Sequence, residues 1–309
     1  MTAERFFTHK LGIITAAVGA TFLWGSAFPF IKLSYSSLQI GPTEIAEQLL
    51  FAGYRFFLAS LMIILVFASL KRKMKFQRHT GLDLLKIGSL QTFLQYIFFY
   101  IGLSYSTGIQ GAIIAGTASF FQILFAHFMY KDDLINMKKV IGLFVGFTGV
   151  VLVNITKGTF SFDFGIGELF LLFAMMTSAF GNLLARNGTA KMEVSYLTAY
   201  QMLFGSIGLL LVGGLTGRNF FPFQFSTQSI VMLLYLAFLS AAGFVLWNNV
   251  MKYNQVGKVS MYLFLVPVFG VSLSALLLNE VIHLFVLLGL GFVASGIIIV
   301  NRREVSRSH

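Results

Sequence analysis

The sequence predicts an all-α integral membrane protein, with ten transmembrane helices arranged as two inverted five-helix repeats. Three observations predict it: a composition that water cannot solvate, hydrophobic runs long enough to cross a bilayer, and a self-similarity at nearly one offset. Of the 309 residues, 57% are hydrophobic and only 11% charged, and the mean hydropathy is +0.83. A soluble domain carries about 25% charged residues, and its surface never shrinks enough to hide this much apolar side chain. Lipid is therefore the solvent for most of the chain. In lipid the backbone must satisfy its own polar groups, which leaves helices or a closed barrel. Barrel strands are about ten residues long and alternate strictly. The runs here, such as 194–215 and 281–300, are continuous and far longer, so they read as helices.

Taken in order, apolar runs of about 20 residues place spans near 11–31, 44–70, 82–104, 107–130, 138–156, 165–186, 194–215, 228–250, 256–279 and 281–300. The first follows Arg5 and Lys10 and contains Gly25-Ser26-Ala27, the layout of a signal peptide. Its apolar stretch exceeds an h-region of about 7–15 residues, so it reads as a span. With the N-terminus inside, 18 of the 22 Lys and Arg residues fall on the inner side, and three (Lys32, Lys157 and Arg218) on the outer. Such asymmetry marks the cytoplasmic face. It favours an even number of spans, with tails 1–10 and 301–309 both cytoplasmic and the protein in a bacterial cytoplasmic membrane. The net charge of +11 is distributed over these short loops, so it points to a lipid bilayer and not to nucleic acid.

The repeat justifies the grouping of the spans. Ser26-Ala27-Phe28 recurs as Ser178-Ala179-Phe180 at an offset of 152; Tyr54-Arg55 with Ser60 recurs as Tyr200-Gln201 with Ser206 at 146. Tyr105 matches Tyr253 at 148, and Asp133, Gly142 and Gly149 match Glu280, Gly289 and Gly296 at 147. The halves are 11–156 and 165–300, five spans each. Five is odd, so the second half enters from the opposite side and is inverted. Inverted repeats place a solute site near the midplane and give alternating access when the halves exchange conformations.

The residues Trp24-Gly25-Ser26-x-Phe28-x-x-x-Lys32 resemble the first-span signature of the EamA-type, ten-helix branch of the drug/metabolite transporter superfamily. Arg55-Phe56 in an Ala- and Leu-rich second span is similar to that family's second-span motif. Spans four and nine resemble its short apolar helix closing on an acid, here Asp132-Asp133 and Leu278-Asn279-Glu280, each followed by a Gly-spaced helix. Pro267 falls where the family's ninth-span proline would, whereas Phe120 replaces its fourth-span counterpart. About six extra residues, carrying Glu44 and Glu47, lie between Pro42 and Arg55. The resemblance runs from about 14 to 303 and implies a transporter, most often an exporter of amino acids and related metabolites.

Arg55 is the basic residue deepest in a span, where a charge costs about 2.5–3.5 kcal/mol on insertion scales. It must face the bundle, either paired with Glu47 two turns back or as a cation for a substrate carboxylate. Polar groups in lipid need partners, so Trp24, Ser26, Gln95, Tyr96, Tyr100, Gln122, Asn182, Trp247, Asn248 and Tyr262 are expected to face inward. Together with Arg55 they form a substrate-binding set for a small-molecule solute, partly apolar and carboxylate-bearing. Interhelical hydrogen bonding is the plainer use of such residues. Pro267 is a candidate hinge, or a tolerated kink. His127 and His283 are isolated, and the chain has no cysteine, so no metal and no cofactor is expected. The glycines Gly142, Gly146, Gly289 and Gly291 suit close helix packing within a monomer or across a homodimer. An enzyme is not expected: there is no HExxH, no acid cluster and no Ser-Lys or Ser-His pairing. An importer of similar solutes, or a membrane receptor or assembly partner, are the alternatives to an exporter.

Overall fold

Hydrogen bonds that lipid cannot supply are supplied along the chain itself. The computed structural model describes residues 3–131, 134–153 and 165–301, and among these every regular element is helical. A short helix, Ala3–Thr8, leads into α1 (Lys10–Leu38) and α2 (Ile45–Ser69). Then come α3 (Arg78–Tyr105), α4 (Gly108–Met129) and α5 (Met137–Val153). The second half comprises α6 (Ile166–Gly188), α7 (Val194–Thr216), α8 (Thr227–Tyr253), α9 (Leu265–Leu278) and α10 (Leu284–Asn301). A turn of α-helix, Val256–Val259, and a 3-10 stretch, Ser260–Phe264, lead into α9.

Seven of these helices, α1–α4 and α6–α8, are long and apolar enough to cross a membrane, and shorter apolar helices accompany them. The chain is an all-α membrane protein. Most expected boundaries agree within three residues. The exceptions are α3, which starts four residues early at Arg78; α9, whose regular helix starts at Leu265 instead of 256 because a helical turn and a 3-10 stretch precede it; and α1, expected to stop at 31, which continues to Leu38, so that Lys32 lies in the helix and not in an outer loop. Asp132-Asp133, Lys157 and the tail beyond 301 lie outside the described residues.

Local chemistry sets the helix ends. Gln39 closes α1 in the left-handed region (φ 56°). Before α2, the Gly41 N–H donates to Glu44 Oε2 at 2.6 Å. Thr107 and Gln110 form a reciprocal capping box at α4, satisfying donors that a helix start leaves free. Two prolines lie within helical segments. Pro29 is buried inside α1 and cannot donate to the carbonyl of Gly25 one turn back. Pro267 sits in the first turn of α9, directly after the 3-10 stretch, where a missing N–H is tolerated.

The packing has a simple rule. α1 packs on α8 and α9, while α6 packs on α3 and α4; α2 lies against α7 and α8, and α7 against α2 and α3. α4 meets α9, and α5 meets α10. Exchanging each helix for the one five places along maps this set of contacts onto itself. Glycines permit the closest approaches: a Cβ on Gly25 of α1 would lie 2.6 Å from Phe269 Cβ of α9, and one on Gly181 of α6 2.9 Å from the Gln91 backbone of α3. Gly296 of α10 meets Gly142 and Gly146 of α5 within the chain.

Loops that the count of basic residues assigns to one side are found together. At one end Lys191 lies 3.4 Å from Asp83, and Arg72 3.7 Å from Glu193. At the other, Glu280 accepts from the backbone N–H groups of Gly108 (2.8 Å) and Ile109 (2.7 Å). There too, Glu168 accepts from Ser106 (2.9 Å) and from the Gly165 N–H (2.9 Å). Leu65, Phe144, Leu211 and Ile298 are among the apolar side chains left exposed, as a lipid-facing surface requires.

Candidate functional site: a central cavity with one cation

A cavity of about 610 Å³, part of it open to the outside, lies between the two sets of helices. From the first half it is lined by Trp24, Ala27 and Phe28 of α1, Arg55 of α2, Gln95, Tyr96 and Phe99 of α3, and Ala115 and Ala118 of α4. The second half contributes Met175, Ser178 and Asn182 of α6, Phe244 of α8, and Leu263 and Val266 at the start of α9. Its lining, mostly apolar with a few placed polar groups, is of the kind that small-molecule sites have.

Arg55 is 1% exposed. Its Nε donates to the Leu236 carbonyl (3.1 Å) and to Ser240 Oγ (2.7 Å) on α8, and its Nη1 to Tyr100 Oη (3.1 Å). The guanidinium carbon stands 4.9 Å from the Phe56 ring centre and 5.6 Å from that of Tyr96. The expected pairing with Glu47 is not formed: eight residues span about 12 Å of helix axis, and among the described residues no carboxylate comes within 4.0 Å of Arg55. Neutral dipoles hold the charge without cancelling it, and its Nη2 makes no hydrogen bond there. A buried cation without a counter-ion is expensive; at a cavity wall it is available to an anion.

Among the described residues, two polar atoms of the lining residues are buried without a partner, Trp24 Nε1, which lies against Gly243 of α8, and Gln95 Oε1. Trp24 packs edge-on to Phe244 with ring centres 5.2 Å apart and lies 5.7 Å from Trp247. Phe28, Phe99 and Tyr96 continue the aromatic wall at 5.5 and 5.8 Å. Such rings bury large area in few conformations.

Beside the cavity runs an amide relay. Gln91 Nε2 donates to Asn182 Oδ1 (2.7 Å), Asn182 Nδ2 to Gln122 Oε1 (3.1 Å), and Gln122 Nε2 to Ser260 Oγ (2.8 Å). It ties α3, α6, α4 and the 3-10 stretch. Gln91 sits in a π-helical turn, Ser89–Leu94, where the widened helix directs Gln91 to Asn182 and Thr92 to Gln201, and Gln95 just beyond it lines the cavity.

Of the residues expected at the site, Trp24, Arg55, Gln95, Tyr96 and Asn182 line the cavity. Tyr100 and Gln122 stand behind it, bonded to Arg55 and Asn182, and Trp247 is buried against Trp24. The others bond or pack elsewhere. Ser26 Oγ meets Tyr235 Oη at 2.7 Å, and Asn248 donates to Thr198 at 2.9 Å. Tyr262 packs against the apolar core, and Pro267 is buried outside the lining. Sequence reasoning missed Ser178 as a lining residue, although the repeat had already paired it with Ser26. It also missed Ser240 and Ser260, whose partners lie 185 and 138 residues away.

An all-helical membrane protein with a cavity between two exchange-related sets of helices has the form of a transporter. The sequence profile of the EamA-like transporter family matches residues 10–155 and 165–302. The chain belongs to that family. It is 28% identical to the uncharacterized transporter YvbV of Bacillus subtilis (strain 168), over 91% of this chain and 89% of that protein. An uncharacterized transporter of Archaeoglobus fulgidus is 27% identical, over 96% and 98%. One solved crystal structure superposes with a TM-score of 0.67 at 17% identity, covering 92% of this chain and 94% of the other, which speaks to the fold.

Proposed function

We propose that the protein is a secondary transporter that exports small organic metabolites, amino acids and related carboxylates, by alternating access. It works from a bacterial cytoplasmic membrane, with both termini in the cytoplasm and two inverted five-helix halves, 11–156 and 165–300. The observation that carries this reading is the central cavity, walled by both halves and holding one uncompensated cation. Support for the inversion comes from the two consecutive family matches and from helix contacts that survive exchange of the halves. Pro267, which directly follows a 3-10 stretch, serves as the hinge. The basic residues of the loops support the orientation; the direction rests on what the resemblance of the span motifs implies, not on the relatives, which are transporters of unstated direction.

The test is counterflow in proteoliposomes preloaded with single amino acids or carboxylic acids. Exchange of labelled solute that disappears in Arg55→Gln is the expected result. A well-folded protein that exchanges none of the panel would overturn the transport reading.

A further inference from the structure

We infer that, within the class proposed above, the cavity selects solutes that carry one carboxylate, an aromatic or apolar body and no ammonium group. The inference rests on the transporter reading and narrows its substrate. Among the described residues, the cavity lining contains one ionised side chain, Arg55, and no Asp or Glu. Glu168 and Glu280 are committed to helix starts at one end of the bundle.

A carboxylate at Arg55 would meet the unengaged Nη2, with its body against the rings of Trp24, Phe28, Phe99 and Phe244. An ammonium group brings three donors and a positive charge. The lining answers with neutral oxygens only, those of Gln95, Tyr96, Ser178 and Asn182, and with no carboxylate. The rings of Phe56 and Tyr96 already face the guanidinium, and the other rings of the wall carry no charge to replace the missing acid. A zwitterion would bury its ammonium without a counter-ion, which is unfavourable. The same cation that draws the carboxylate repels the ammonium.

The experiment uses the purified full-length protein in lipid nanodiscs and three probes with one benzyl body: 3-phenylpropanoate, phenylalanine and phenethylamine. The thermal midpoint is followed against probe concentration, since a ligand of the folded state raises it by mass action. The acid is expected to act at a concentration at least tenfold lower than phenylalanine, and the amine to have no effect. Arg55→Gln should abolish the response to the acid. If that variant does not fold, Arg55→Lys, which keeps the charge and loses the planar guanidinium, should weaken the acid three- to tenfold. Equal or tighter action of phenylalanine, a response to the amine, or no response to the acid overturns the inference. Proteoliposome counterflow separates the two claims: phenylalanine exchanged as fast as the acid removes the selectivity and leaves transport standing. A preference seen in binding without exchange of any solute removes transport and leaves the selectivity.

Discussion

Arg55 on α2 and Gln201 on α7 occupy the same place in the two halves and do different work. Arg55 crosses to Ser240 on α8 at 2.7 Å; Gln201 Oε1 accepts from Thr92 on α3 at 2.7 Å. Exchanging the halves turns one contact into the other, because α2 and α8 become α7 and α3, and Ser240 falls 148 residues after Thr92. The architecture thus holds one junction in duplicate, charged at one copy and neutral at the other. The neutral copy is buried at 0% exposure and lies away from the cavity lining, whereas the charged copy borders it. A scaffold contact needs only a polar pair; a solute site additionally needs one junction to carry charge.

The largest effect should come from erasing this difference in the costly direction. Gln201→Arg puts a second guanidinium where no cavity and no acid awaits it, at a cost of about 3 kcal/mol or more. We expect the protein to be lost from the membrane fraction or to unfold on extraction, read by size-exclusion chromatography. The reverse change, Arg55→Gln, copies the neutral junction into the first half. It should leave folded protein and reduce solute-dependent stabilisation and exchange at least tenfold; preserved exchange would make Arg55 a structural group only.

Smaller effects sharpen the contrast. Gln122→Leu cuts the amide relay and strands Asn182 and Ser260, a loss of about 1–3 kcal/mol seen in the thermal midpoint without ligand. Thr92→Val removes one hydrogen bond and Ser240→Ala two, at about 1 kcal/mol each. Ser240→Ala alone should also alter the solute response, because it removes one of the three hydrogen bonds that hold the guanidinium. Equal solute responses in the two variants would mean that both junctions serve the site. Least of all, Lys191→Ala should change stability by less than about 0.5 kcal/mol, as exposed ion pairs usually do.

Much of the fold could be read from residue order, because hydrophobic runs and loop charges report directly on what lipid tolerates. The repeat was readable for a similar reason: paired residues such as Tyr54-Arg55 and Tyr200-Gln201 keep their spacing through both halves. Periodicity says that Arg55, Gln122 and Asn182 turn inward, but not which inward group each one meets. Those meetings bridge 45 to 185 residues and depend on helix rotation, itself altered at α3 by the π-helical turn. Glu47 looked like a partner for Arg55 because both lie on one face, yet the rise along the axis separates them. Ser26 and Ser178 show the remaining limit. One tripeptide is used twice, but only the second serine reaches the cavity.

The grip of Glu280 on the first turn of α4 also bears on the order of biogenesis. The carboxylate and the N–H groups that it holds are separated by 172 and 171 residues. At about 5–20 residues per second, the ribosome needs roughly ten to thirty-five seconds to make the intervening chain. Until then α4 must wait in the membrane with its leading amides unclaimed. The first half is therefore a guest awaiting the second, and a nascent chain stopped before residue 280 should be a substrate for membrane proteases.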